Sequence, residues 1–221
     1  MTAPSPLSPQ APRAAADVAS PARVVLLTGP SGSGKSSVAA RSGLPVLALD
    51  DFYKEAGDPS LPLLGDGPAV DWDAPASWRA DAAVEAIRTL CERGSAATPV
   101  YDISASAVRG ATVLDLAGAP LFVAEGVFAA EIAARCADEG LLADALCVRG
   151  GPVTTARRRF ARDLREGRKS VPFLLRRGFH LMRAERDIVA RQVRLGCAPC
   201  DQTQALRRIA AAASHRVPTA A

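Results

Sequence analysis

Residues Gly29 to Ser36 read GPSGSGKS, and no other stretch restricts the possible folds of this chain as strongly. The octet fits G-x-x-x-x-G-K-[ST]. It follows the apolar, β-branched run Val24 to Leu27 and precedes Ser37 to Arg41, a segment able to open a helix. Strand, glycine-rich turn and helix form the setting in which this string makes a phosphate-binding loop. Gly29, Gly32 and Gly34 admit backbone angles that a Cβ resists, so successive N–H groups converge on one anion. The helix that follows adds its positive end. Gly29, Pro30, Ser31, Gly32, Ser33, Gly34, Lys35, Ser36 and Ser37 would then surround the phosphates, with Lys35 reaching the outer ones and the Ser36 hydroxyl placed to ligate magnesium. A chain of this composition should show about 0.002 chance matches, so an accidental Gly/Ser surface loop is a poor account.

Around that loop the pattern alternates. Strands are expected at Val24 to Leu27, Pro45 to Leu49, Pro120 to Ala124 and Ala143 to Val148, apolar as strands buried on both faces are. Helices are expected from Lys35 to Gly43, from Ser77 to Glu92 with Ala83, Ile87 and Leu90 on one face, from Val127 to Asp138 and from Ala205 to Ala213. Val171 to Gly196 also reads as helical. Pro99 to Ile103 and Ala111 to Leu116 suit a hairpin standing off the sheet. The pattern predicts an α/β, P-loop NTPase-type fold: a mostly parallel five-stranded sheet with helices on both faces and a helical lid.

A chain of 221 residues is enough for one such domain, here 23–214. The Pro/Ala-rich stretch 1–22 reads as a disordered tail, and 215–221 as a flexible end. A net charge of +4 is too small to argue for nucleic-acid binding. Asp115 and Glu125 interrupt the most apolar long stretch, so no membrane span is expected, and no secretory leader is visible. Five cysteines, an odd number, suit reduced thiols and a cytoplasmic setting. The lone Cys197-x-x-Cys200 has no second pair and is expected to be two incidental thiols near a turn. His180 and His215 sit among arginines and are assigned no chemistry.

Two strand ends carry acids. Asp50 and Asp51 close the second strand and Glu125 closes the third, on the rim where ligands bind in open α/β sheets. Glu125 suits the magnesium side together with Ser36. From Thr154 to Lys169 the chain is basic, with Arg158, Arg162, Arg165 and Lys169 at helical spacing. A solvated face would explain that row. After a phosphate loop, a lid over about 154–170 closing on a triphosphate is the better account.

The set GPSGSGKSS, LDDFYK, VDWDAPASW, PVYDIS, VAEGVF and RDLREGRK resembles the uridine kinase family of phosphate-loop kinases, itself similar to phosphoribulokinase and bacterial pantothenate kinase. The resemblance spans about residues 23–170. It implies ATP or GTP with Mg²⁺ as cofactors and a small-molecule acceptor, a pyrimidine nucleoside phosphorylated at its 5′-hydroxyl. Asp50 matches the acid that accepts the hydroxyl proton, acting with Lys35, Arg159 and Arg162. Asp73 matches the acid on the ribose hydroxyls and Tyr101 the aromatic lining the base pocket, with Tyr53 and Arg109 also on the acceptor side. Glu125 matches the magnesium-side carboxylate. The chain departs from the family where a base-reading His gives way to Ser104-Ala105-Ser106, and where a lid arginine gives way to Gly167. Another alcohol acceptor, pantothenate or a sugar phosphate, is the alternative, as is a nucleotide binder without transfer. The choice between Asp50 and Asp51 as base, and a homo-oligomeric state, are left open.

Overall fold

The protein was analysed as a computed structural model, which describes residues 21–150 and 186–214. β1 (Arg23–Thr28) lies at the centre of a five-stranded, all-parallel sheet with β2 (Val46–Ala48), β5 (Leu121–Glu125), β6 (Leu142–Val148) and β7 (Ala198–Cys200), in the order β2-β5-β1-β6-β7. β3 (Ser95–Asp102) and β4 (Ala107–Asp115) pair antiparallel as a separate hairpin. The helices are α1 (Lys35–Arg41), α2 (Ala80–Arg93), α3 (Ala133–Asp138), α4 (186–194) and α5 (Gln202–Ser214).

The sheet is covered on both sides because β1 is apolar on both. Val24 and Leu26 join one buried cluster with Ala83, Val84, Ile87 and Leu90 of α2. Val25 and Leu27 join another with Val38 of α1 and Ala205 and Ile209 of α5. All four β1 side chains are fully buried, and each is worth roughly 1.5–3 kcal/mol relative to exposure. α2 ends at Gly94, whose N–H reaches the Leu90 carbonyl.

Register brings the chemistry-bearing ends together. Leu27 of β1 and Ala48 of β2 both stand beside Glu125 of β5. The loop after β1, the turn after β2 and the turn after β5 therefore open on one rim.

Several expectations need correction. Cys197 and Cys200 are buried free thiols next to the turn at 195–196, and Ala198–Cys200, for which no strand was expected, is the fifth strand of the sheet. Leu49 leaves the strand to open a 3₁₀ turn, Leu49–Phe52, so Asp50 and Asp51 sit on a tight turn. The stretch after Glu125 starts as 3₁₀ at Ala129–Ile132 before α3. Ala22, grouped by composition with the tail, packs in the core and donates its N–H to the Cys91 carbonyl. The basic stretch 154–170 with Arg159, Arg162 and Gly167, the histidines, 1–20 and 215–221 lie outside the described residues. Among the described residues no helix is long and apolar enough to cross a membrane.

Candidate functional site

β1 ends at Thr28 and the backbone turns at Gly29, with φ of 144°. A Cβ at Gly29 would stand 2.2 Å from the Val148 carbonyl oxygen, so β6 leaves room there for glycine alone. The Ser33 N–H closes the turn on the Pro30 carbonyl at 3.1 Å. Lys35 is buried, and its Nζ folds back to donate to the carbonyls of Gly29 (2.9 Å) and Pro30 (3.5 Å). Gly34 is the N-cap of α1, and no side chain closes that helix end. Ser33 Oγ is fully buried and, among the described residues, has no hydrogen-bond partner.

Glu125 reaches this loop, and Asp50 lies against the turn that follows Glu125. Ser36 Oγ donates to Glu125 Oε1 at 2.8 Å. Two residues beyond Glu125, the Val127 N–H donates to Asp50 Oδ1 at 3.1 Å. Gly126 lies between them, and a Cβ there would be 2.8 Å from the same Asp50 oxygen. Asp51 points elsewhere: its Oδ1 accepts the Tyr101 N–H at 3.3 Å, tying the hairpin to the 3₁₀ turn. Burial raises the Asp51 carboxyl above its ordinary value; the Tyr101 N–H opposes this and the Asp50 charge adds to it. Asp51 also lines a cleft of about 460 Å³ between α2 and the hairpin, whose walls include Arg79, Glu85 and Thr89 and no residue of the phosphate loop.

Beside Asp50 stands an aromatic group. The Tyr53 ring lies 5.7 Å from Phe128, 6.0 Å from Tyr101 and 6.1 Å from Trp72, centre to centre. Burial, and then the charges of Asp50 and Asp73, push the Tyr53 phenol up, so its hydroxyl keeps its proton through the neutral range. Tyr101 donates its hydroxyl to the Lys54 carbonyl at 2.9 Å, which fixes its ring against this group. Asp73 is exposed, on a turn closed by its N–H to Asp71 Oδ1 at 3.1 Å. The residues expected from sequence thus fall into two adjoining groups, one at the loop, Gly29 to Ser37 with Glu125, and one around Tyr53, with Asp50, Asp73 and Tyr101. Arg109 is held apart on the hairpin, its Nε 3.3 Å from Asp102 Oδ2.

Sequence reading missed several members. Trp72 and Phe128 were inside the motifs DWD and EGVF, but only the fold turns their rings toward Tyr53. Gln192, buried on α4, donates to the Val127 carbonyl at 3.2 Å and takes a bond from Cys147 Sγ at 3.2 Å. Thr28 Oγ1 donates to the same Val127 carbonyl. Gln202, at the start of α5, donates to the Ser33 carbonyl at 3.0 Å. None of these polar residues carried a motif.

The donor set fits a magnesium–nucleotide triphosphate: an orphaned buried hydroxyl on Ser33, a buried ammonium on Lys35, and one hydroxyl and one carboxylate as oxygen ligands on Ser36 and Glu125. Two protein oxygens suit Mg²⁺, which keeps several waters, and among the described residues no cluster of three or more metal-binding side chains exists.

No family model matches the chain, and no curated protein matches it. Solved structures do. A candidate fructose transport system kinase from Silicibacter sp. TM1040 aligns with 93% of this chain and 88% of its own, at 17% identity and a TM-score of 0.50. A candidate uridine kinase from Bacillus stearothermophilus aligns with 64% of this chain and 77% of its own, at 17% identity and a TM-score of 0.44. At these identities the likeness concerns architecture: the chain has the mostly parallel α/β fold of the phosphate-loop kinases.

Proposed function

We propose that this chain is a nucleotide-dependent kinase that transfers the γ-phosphoryl group of ATP or GTP to a hydroxyl of a small molecule, with the 5′-hydroxyl of a pyrimidine nucleoside as first candidate acceptor. The observation that carries the proposal is the placement of two acids at neighbouring strand ends: Glu125 on Ser36 of the phosphate loop, and Asp50 held by the Val127 N–H two residues beyond Glu125. A protein that only bound nucleotide would have no use for a carboxylate at the second position.

When bound, a magnesium–triphosphate supplies the electrophilic phosphorus and a counter-charge for its oxygens. The chain's own groups do the rest. Lys35 swings its ammonium from the Gly29 and Pro30 carbonyls to phosphate oxygens. Ser36 and Glu125 are the metal-side ligands. Asp50 accepts the proton of the acceptor hydroxyl, and a carboxylate suffices because a loose transition state demands little early proton removal. Tyr53, a neutral donor beside Asp50, orients that hydroxyl, and Asp73 takes neighbouring hydroxyls. Tyr53, Trp72, Tyr101 and Phe128 offer aromatic surface for a ring. Arg159 and Arg162, outside the described residues, are assigned to the donor phosphates on spacing and family resemblance.

An acceptor panel tests this with the full chain, ATP or GTP, and Mg²⁺. The expected result is a phosphorylated product from uridine or cytidine, abolished by Asp50→Asn. Transfer to pantothenate or a sugar phosphate alone would keep the kinase and retire the nucleoside. Nucleotide binding with no product from any acceptor would retire the kinase.

A further inference from the structure

The hairpin strand β4 presents a long backbone edge. β3 and β4 form a sheet of two strands only, and among the described residues nothing else pairs with β4. Arg109, Gly110, Ala111, Thr112 and Val113 are all exposed, Val113 at 70%. Hairpins of two strands are marginal alone, and unpaired edges are templates for a further strand.

The direction of the free groups follows from a proline. Pro99 stands directly opposite Ala111. Opposed residues that exchange two hydrogen bonds need an N–H on each side, and Pro99 has none. Pro99–Ala111 is therefore a non-hydrogen-bonded pair. Ala111, and with it Val113 and Asp115, turn their backbone N–H and C=O outward, away from β3.

We propose that this outer edge pairs antiparallel with the same edge of a second copy, about a twofold axis at Thr112, joining two hairpins into a four-stranded sheet across a homodimer. A twofold interface must be self-complementary, and the β4 sequence is so in this one register. With Thr112 opposite itself, Ala111 faces Val113 of the second copy, and Arg109, which the register shift between Val100 and Tyr101 leaves without a partner on β3, comes level with Asp115, each twice. Arg109 and Asp115 are the only charges in β4. Moving the axis to Ala111 or Val113 sets Arg109 against Val113 or Ala117 and gives neither Arg109 nor Asp115 an opposite charge on the second copy. Placing it between residues sets outward backbone groups against inward ones. Arg109 bonds Asp102 through Nε, and its guanidinium has further N–H groups for a second carboxylate. Thr–Thr and opposite-charge cross-strand pairs are both favourable.

Sedimentation velocity of the full chain over a dilution series, with Arg109→Asp and Asp115→Arg, tests the register. The parent is expected to dimerise reversibly. Each variant alone sets like charges against each other at both positions and should be monomeric. Mixed in equal amounts, the two variants restore both opposite-charge pairs, and a heterodimer should form. Folding damage cannot produce that rescue, and circular dichroism of each variant confirms it is folded. A parent that stays monomeric, variants that dimerise as well as the parent, or a mixture that stays monomeric would each overturn the proposal.

Discussion

Gly126→Ala probes the placement of Asp50 directly. Gly126 is not among the residues with positive φ, so alanine meets no backbone penalty there. Its methyl carbon would stand 2.8 Å from Asp50 Oδ1 and 2.8 Å from Leu49 Cβ. Ordinary contact begins near 3.5 Å, so about 0.7 Å must be found. Leu49 is fully buried in the core and yields little, so the carboxylate moves and its 3.1 Å bond from the Val127 N–H is spoiled. A misplacement of about 1 Å is worth on the order of 100-fold in rate. The variant should therefore lose roughly 10- to 100-fold in kcat, with about 1–3 kcal/mol of stability lost to overpacking. Nucleotide affinity should hold, because the Lys35–Gly29 and Ser36–Glu125 contacts are untouched. Steady-state kinetics on the accepted substrate, calorimetric titration of the nucleotide and a melting curve separate the three quantities. A lowered melting temperature with an undiminished kcat would refute the reasoning, since the carboxylate would have moved without consequence.

Lys35→Ala should abolish turnover and weaken triphosphate binding measured by calorimetry, since the buried ammonium is the loop's one cation. Gln192→Leu should cost about 1 kcal/mol of stability, the worth of a neutral hydrogen bond. It should also lower kcat more than it changes either KM, because it removes one of the two bonds that hold the Val127 carbonyl in the segment that positions Asp50; an equal effect on both would assign Gln192 to packing alone. Asp102→Asn addresses pH. Hydrogen bonds from Ser104 and Ala105, then Arg109, hold the Asp102 carboxyl down at about 2 against an ordinary 3.8. The folded value is depressed, so its contribution is present above 3.8 and is lost as pH falls toward 2. The asparagine variant should melt lower at neutral pH and show a flatter dependence across that acid window, read by thermal unfolding at a series of pH values.

What sequence could show and what it could not divide along a physical line. The phosphate loop, the four apolar strands β1, β2, β5 and β6 and the strand-end acids were legible because each is a local pattern: β-branched runs, glycine at turns, a carboxylate after a strand. β7 was not. Ala198-Pro199-Cys200 is three residues long, contains a proline and follows a glycine at Gly196, all of which argue against a strand. It forms because Val148 of β6 offers a partner to Cys200 across a parallel ladder, and an edge position tolerates the proline. That short strand has consequences at the site. It sets the start of α5, so that Gln202 reaches the Ser33 carbonyl. It also packs against β6, whose Val148 carbonyl dictates glycine at Gly29. The phosphate loop is therefore shaped from its far side by the least readable strand in the chain. In the same way Asp50 is aimed by Val127, which Thr28 and Gln192 hold from β1 and α4. The residues that carry chemistry announce themselves by type and spacing; those that aim them are ordinary polar side chains made significant only by where the sheet brings them.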